Sequence, residues 1–140
     1  MRYMLLLKSD ENSEAGVPPD AKTLEAMGKF NQELIKAGVL LAGDGLKASS
    51  KGARVKLSRD KRTVVDGPFT ETKKLVAGYW LLQVKSRDEA IEWAKRCPNP
   101  YIGGEGEIEV RQVYELADFA DISPEVKAIE QKFRDSTRPK

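Results

Sequence analysis

A chain of 140 residues with 40% hydrophobic and 33% charged side chains is sized for one domain with its own core and is too apolar for global disorder. Twenty-four Lys and Arg stand against 22 Asp and Glu, interspersed rather than blocked, so composition offers no footprint for direct nucleic-acid binding or for an anionic membrane. A single cysteine excludes an intramolecular disulfide framework, and the apolar run Met4 to Leu7 is far too short for a leader or a membrane span, so the expected location is the cytoplasm.

Arg2 to Leu7 predicts the central strand of a sheet, buried on both faces. Lys8 to Pro19 is polar or turn-forming and leads into a helix that Asp20 caps, with Leu24, Met27, Leu34 and Ile35 recurring at near-helical spacing beside Phe30. Gly38 ends that helix. Gly28, inside it, predicts close approach of another backbone or side chain. Val39 to Ala42 reads as a second strand running into a bend at Gly43-Asp44-Gly45, where Asp44 is either a turn residue or a carboxylate at a cavity rim. Ala53, Val55 and Leu57 alternate with Arg54 and Lys56, and the chain turns at Arg59-Asp60-Lys61 and returns to Val65, a hairpin that delivers Asp66 to its end.

The stretch Asp66-Gly67-Pro68-Phe69-Thr70-Glu71-Thr72-Lys73 then combines a strong turn dipeptide with a large apolar group and a charge cluster. Two readings stand: Phe69 plugs one end of the core while Thr70 caps a short helical turn, or Asp66, Glu71, Thr72 and Lys73 line a cleft. Leu75 to Val84 predicts a buried strand. Ser86 and Glu89 form a capping box for a helix with Ala90, Ile91, Ala94 and Cys97 on its apolar side. Cys97 is assigned to the core, since no base accompanies it. Gly103-Gly104-Glu105-Gly106 is no phosphate loop, because no Gly-Lys-Ser/Thr follows and the next segment is a strand. Ile108 to Tyr114 is the last strand. Ser123-Pro124-Glu125 opens a terminal helix whose Val126, Ile129 and Phe133 share one face and need a surface to pack on.

Strand, helix, strand, hairpin, strand, helix, strand predicts an α+β ferredoxin-like sandwich, an antiparallel sheet with helices on one face. The other sheet face, left to solvent or a partner, predicts a homodimer. Three loop acids, Asp44, Asp66 and Glu71, would repel one another if brought together and would attract a cation, Arg111 or Lys73. No metal or cofactor is expected: there is no histidine or second cysteine for zinc, and no Asp-x-Asp-x-Asp spacing for a hard cation.

As a set, Arg2-Tyr3-Met4-Leu5-Leu6, Ala37 to Leu46, Asp66 to Lys73, Gly78-Tyr79-Trp80, Glu89 to Ala94 and Ile108-Glu109-Val110-Arg111 resemble the YCII-related family in its DGPF-domain branch. The resemblance covers residues 1–116, with 117–140 a C-terminal helical extension of the same domain. It implies a dimeric α+β barrel and a family largely without assigned activity, some of whose members accompany extracytoplasmic-function sigma factors. The branch to which catalysis is ascribed pairs a histidine on the first helix with an aspartate in an Asp-Pro-Tyr stretch. This chain has no histidine and reads Asn99-Pro100-Tyr101 at the second place, so that acid/base pair is not available to it. The expectation is a dimeric accessory or small-ligand-binding protein, with a site of Asp44, Asp66, Phe69, Glu71, Lys73, Tyr79 and Arg111 and an anionic or aromatic ligand. The alternative is an isomerase- or lyase-like enzyme using one of the carboxylates as base, with Tyr79 and Arg111 orienting an anion.

Overall fold

The computed structural model describes residues 1–101 and 103–137. Its elements are β1 (Arg2–Lys8), α1 (Glu11–Glu14), α2 (Ala21–Lys36), β2 (Leu40–Gly45), β3 (Ala53–Leu57), β4 (Arg62–Asp66), β5 (Val76–Gln83), α3 (Arg87–Lys95), β6 (Ile108–Gln112) and α4 (Pro124–Thr137), with short 3-10 turns at Ser49–Lys51, Thr72–Lys74 and Leu116–Asp118.

Side chains alternate across a strand, and in β1 that alternation sets the plane of the molecule. Tyr3, Leu5 and Leu7 are buried on one face, while Arg2, Met4, Leu6 and Lys8 are half-buried on the other. The strand is central, as expected, with Leu5 opposite both Trp80 of β5 and Val110 of β6. Only one of its faces is sealed, however, which corrects the expectation of burial on both. Four antiparallel strands in the order β2-β5-β1-β6 make the ferredoxin-like α+β arrangement, and β3 and β4 form a separate two-stranded sheet.

Helices α2 and α3 cover the sealed face. The Asp20 carboxylate accepts the Thr23 N–H at 2.8 Å and so starts α2, while Gly38, at φ +73°, takes the left-handed conformation that ends it. Phe30 and Leu34 are buried, and the Phe30 ring meets Trp80 edge-on at 5.5 Å. The indole N–H of Trp80 donates to Asn31 Oδ1 at 2.8 Å, so the one polar atom of that ring is satisfied. Leu24 and Ile35 are exposed, which corrects the expected apolar face: at about 100° per residue they lie well over 100° around the helix from Phe30, whereas Leu34 lies about 40° away. Gly28 is also corrected, because a Cβ there would meet no atom within 4 Å.

The bend expected at Gly43-Asp44-Gly45 is a continuation of β2, with Asp44 paired to Tyr79 and Gly43 to Trp80. A Cβ on Gly43 would come within 3.2 Å of the Trp80 ring, so glycine lets the edge strand lie close over it. Helix α4 starts where expected, with Ser123 Oγ accepting the Val126 N–H at 3.2 Å. Yet Val126, Ile129 and Phe133 are exposed, and the buried residue of this helix is Arg134. No helix among the described residues is long and apolar enough to cross a membrane.

Leu34 is fully buried between α2 and the sheet, so Leu34→Ala is expected to cost about 2–5 kcal/mol in urea unfolding. Leu24→Ala, on the exposed side of the same helix, should change stability by about 0.5 kcal/mol or less.

Candidate functional site

Past β1, the Asp10 carboxylate accepts the Ser13 N–H at 2.8 Å and the Asp10 N–H donates to Ser13 Oγ at 3.0 Å, a reciprocal cap that starts α1. This short helix presents Glu14. Its carboxylate accepts the Ser49 N–H at 2.9 Å and also the Ser49 hydroxyl, and Ser49 Oγ in turn accepts the Phe69 N–H at 2.8 Å. Three distant segments are thereby tied through one hydroxyl, and the charged end of the chain strengthens both of its bonds.

Gly67 and Phe69 complete the junction. The Gly67 N–H donates to Gly52 O at 3.0 Å, and a Cβ at Gly67 would lie 1.8 Å from Ser49 O. Only glycine allows so close an approach of the two backbones. Phe69 lies under the Arg54 guanidinium at 3.8 Å from its ring centre.

The Ser49–Lys51 turn held in this way forms one wall of a cleft of about 730 Å³. The opposite wall is the loop around α1 and the start of α2. Leu7, Val17, Leu46 and Ala77 make its apolar lining, and Asp10, Asp20, Thr23, Lys47, Lys51 and Tyr101 supply polar groups. Tyr101 is placed by Asn99, whose Oδ1 accepts the Tyr101 N–H at 2.9 Å while its Nδ2 donates to Gly104 O at 3.0 Å. The Tyr101 hydroxyl donates to the Lys8 carbonyl, and burial, then the nearby Asp10 charge, pushes its pKa up to about 12. It is a neutral donor at physiological pH.

Both cleft carboxylates are occupied by helix starts. Asp20 lies below the usual carboxylate range because of its hydrogen bonds with Thr23, and Asp10 holds Ser13. Lys47 and Lys51, by contrast, form no ion pair among the described residues. The cleft therefore holds two carboxylates bonded to backbone donors and two ammonium groups outside any ion pair among the described residues.

The residues singled out from the sequence fall in three places, and none lines this cleft. Asp44 and Tyr79 meet across β2 and β5, the phenol donating to Asp44 Oδ2 at 3.5 Å. Asp66, Phe69, Glu71 and Lys73 gather at the foot of the hairpin, where Asp66 opposes Ala53. There Glu71 pairs with Lys74 at 2.6 Å, and that lysine, by hydrogen bond and charge, lowers the Glu71 pKa. Arg111 is on β6, at the other edge of the sheet from β2, in an exposed pair with Glu109 at 3.0 Å. Thr70 does not cap the turn that follows, since Thr72–Lys74 has Glu71 at its N-cap and no side-chain cap bond. Of the cleft residues Asp10, Ser13, Lys47, Lys51 and Tyr101, only the first two carry a signal in the sequence, the Asp10-x-x-Ser13 capping spacing. Among the described residues, no three His, Cys, Asp or Glu side chains are grouped to hold a metal ion. Cys97 is half-buried against the core.

A YCII-related domain model matches residues 1–117. The chain belongs to the YCII-related family. Every cleft residue and the whole Glu14, Ser49 and Phe69 junction lie inside the YCII-related domain, which ends before α4. An uncharacterized protein of Rhizobium meliloti (strain 1021) is 29% identical over 101 residues, which is 71% of this chain and 82% of that protein.

Gly67→Ala is expected to cost more than about 1 kcal/mol in thermal or urea unfolding, because the backbones of residues 49 and 67 must part. It should also speed amide exchange at Ser49–Gly52, while Gly104→Ala, whose Cβ meets only ordinary contacts, leaves that exchange unchanged. A second expectation concerns pH. Burial pushes the Cys97 thiol up to about 11 from 9.0, so between these values the unfolded chain has released a proton that the folded chain retains. Stability therefore falls as pH rises from about 9 to about 11. Cys97→Ala should flatten that part of a stability–pH curve.

Proposed function

We propose that this YCII-related protein binds a small organic anion with an apolar body in the cleft between Tyr101 and the Ser49–Lys51 turn, and that it works in the cytoplasm as a homodimer. The observation that carries the reading is the pair of lysines, Lys47 and Lys51, that form no ion pair among the described residues, on a cleft whose carboxylates are already hydrogen-bonded to helix starts. A cleft of about 730 Å³ falls in the range that encloses metabolite-sized ligands. Leu7, Val17, Leu46 and Ala77 suit the apolar body beside the Tyr101 ring, and the ammonium groups attract the carboxylate.

Binding is preferred to catalysis because the cleft lacks a group that exchanges a proton near neutral pH. Tyr101 is held neutral, the two aspartates are engaged, and the chain contains no histidine. Dimerisation is supported by the sheet face turned away from α2 and α3, where Met4 opposes Leu81 and Leu6 opposes Tyr79.

A thermal-shift panel tests the ligand class. Benzoate and hexanoate are expected to raise the melting temperature, and benzylamine to leave it unchanged. Lys47→Ala with Lys51→Ala should abolish the response, whereas Asp66→Asn, outside the cleft, should preserve it. An equal shift with benzylamine, or a full response in the double lysine variant, refutes the anion reading. Light scattering at micromolar concentration should return twice the chain mass; a monomer refutes the homodimer.

A further inference from the structure

Two parts of this chain present apolar stripes that nothing among the described residues covers. In the β3–β4 hairpin Val55 faces Val64 and Leu57 faces Arg62, so Val55, Leu57 and Val64 share one side. In α4 the spacing of Val126, Ile129 and Phe133 puts them within about 60° of arc. All six side chains are 45–74% exposed. Neither element is self-sufficient: an isolated two-stranded hairpin is marginal in water, and so is a helix of 14 residues. Against the body, α4 places Arg134, whose Nη1 donates to Tyr114 O at 3.2 Å, rather than its hydrophobic side.

The hairpin and the approach to α4 differ in charge, while α4 itself is balanced, with Glu125, Glu130 and Asp135 against Lys127, Lys132 and Arg134. Ala53–Asp66 holds five basic residues against two acids, whereas residues 114–125 hold Glu115, Asp118, Asp121 and Glu125 and no lysine or arginine. On the hairpin, Lys56, Arg59 and Lys61 make no ion pair among the described residues, and neither do Asp121, Glu125 and Glu130 along α4 and its approach.

We infer that the hairpin of one copy docks on α4 of a second copy, and reciprocally. Leu57, Val55 and Val64 lie against Ile129 and Phe133, and the basic hairpin meets the acidic approach to α4. Complementary stripes on one chain, each open, are satisfied together by a twofold pair and by no arrangement of hairpin on hairpin, which would set like charges opposite each other. Because the YCII-related match ends at residue 117 and α4 begins at Pro124, this contact is an addition to the domain. The inference rests on the homodimer reading and specifies one of its contacts.

The test is photocross-linking with p-benzoylphenylalanine in place of Phe133, in an equal mixture of ordinary and nitrogen-15-labelled full-length chains, with light scattering on the same samples. Mixed-isotope cross-links from α4 to peptides of residues 53–66 are expected, with a yield that falls at least tenfold in Leu57→Asp with Val64→Asp and falls also at 0.5 M salt. Both hairpin positions are exposed, and unchanged near-ultraviolet dichroism from Trp80 confirms that the sheet of the variant is folded. A dimer whose cross-links go to α4, or to any surface other than the hairpin, overturns the contact while the dimer stands. Cross-links within single chains only, at dimer mass, do the same. A monomer overturns both.

Discussion

One serine hydroxyl joins three parts of this fold. The Ser49 O–H donates to Glu14 on α1 and its Oγ accepts the N–H of Phe69 at the foot of the hairpin, so the loop after the first strand, the turn after the second and the base of the β3–β4 arm are fixed to one another. The steric condition at Gly67 belongs to the same junction, since two backbones approach there more closely than any side chain would allow. The cleft wall at Ser49–Lys51 owes its position to this junction. None of its members touches the space in which a ligand would sit except through Ser50 and Lys51, the neighbours of Ser49 in the turn.

Around that junction the molecule divides its work between the faces of the sheet. The sealed face spends its apolar residues on α2 and α3, with Leu5, Leu34 and Leu82 fully buried, and it supplies the stability on which the rest relies. The opposite face, the hairpin and α4 keep apolar groups half or wholly open. Several hydrophobic surfaces thus stay uncovered beside a complete core, and the cleft is lined mainly by loops rather than strands.

The fold was legible in the sequence because it depends on periodicity. Tyr3, Leu5 and Leu7 alternate, Phe30 and Leu34 recur at helical spacing, and Asp20, Ser86 and Ser123 sit where helix starts need an acceptor. The errors have physical causes. Leu24 and Ile35 share the helical spacing of the core residues yet are exposed, because hydrophobicity does not reveal which part of an apolar arc touches the sheet. Gly43-Asp44-Gly45 looked like a bend, yet Trp80 beneath it requires a strand without side-chain bulk. The site was less legible still. The stretch from Asp66 to Lys73 stood out for its composition, but its part in the cleft passes through Ser49, a pairing separated by 20 residues that no local pattern encodes. Lys47 and Lys51 lie in no pattern that sets them apart from the other lysines, and only the fold brings them to one cleft with Asp10 and Asp20.

The edge-on contact of Trp80 with Phe30 has an optical consequence. Trp80 is buried at the centre of the sheet and bonded to Asn31, while Trp93, the other indole of the chain, lies half-buried beneath the Arg96 guanidinium. The emission of this protein therefore has two components of different colour and accessibility: a blue-shifted one, shielded from aqueous quenchers, that follows the docking of α2 on the sheet, and a redder one that follows the surface of α3. The chain carries its own fluorophores for watching its two helical layers separately, without any label.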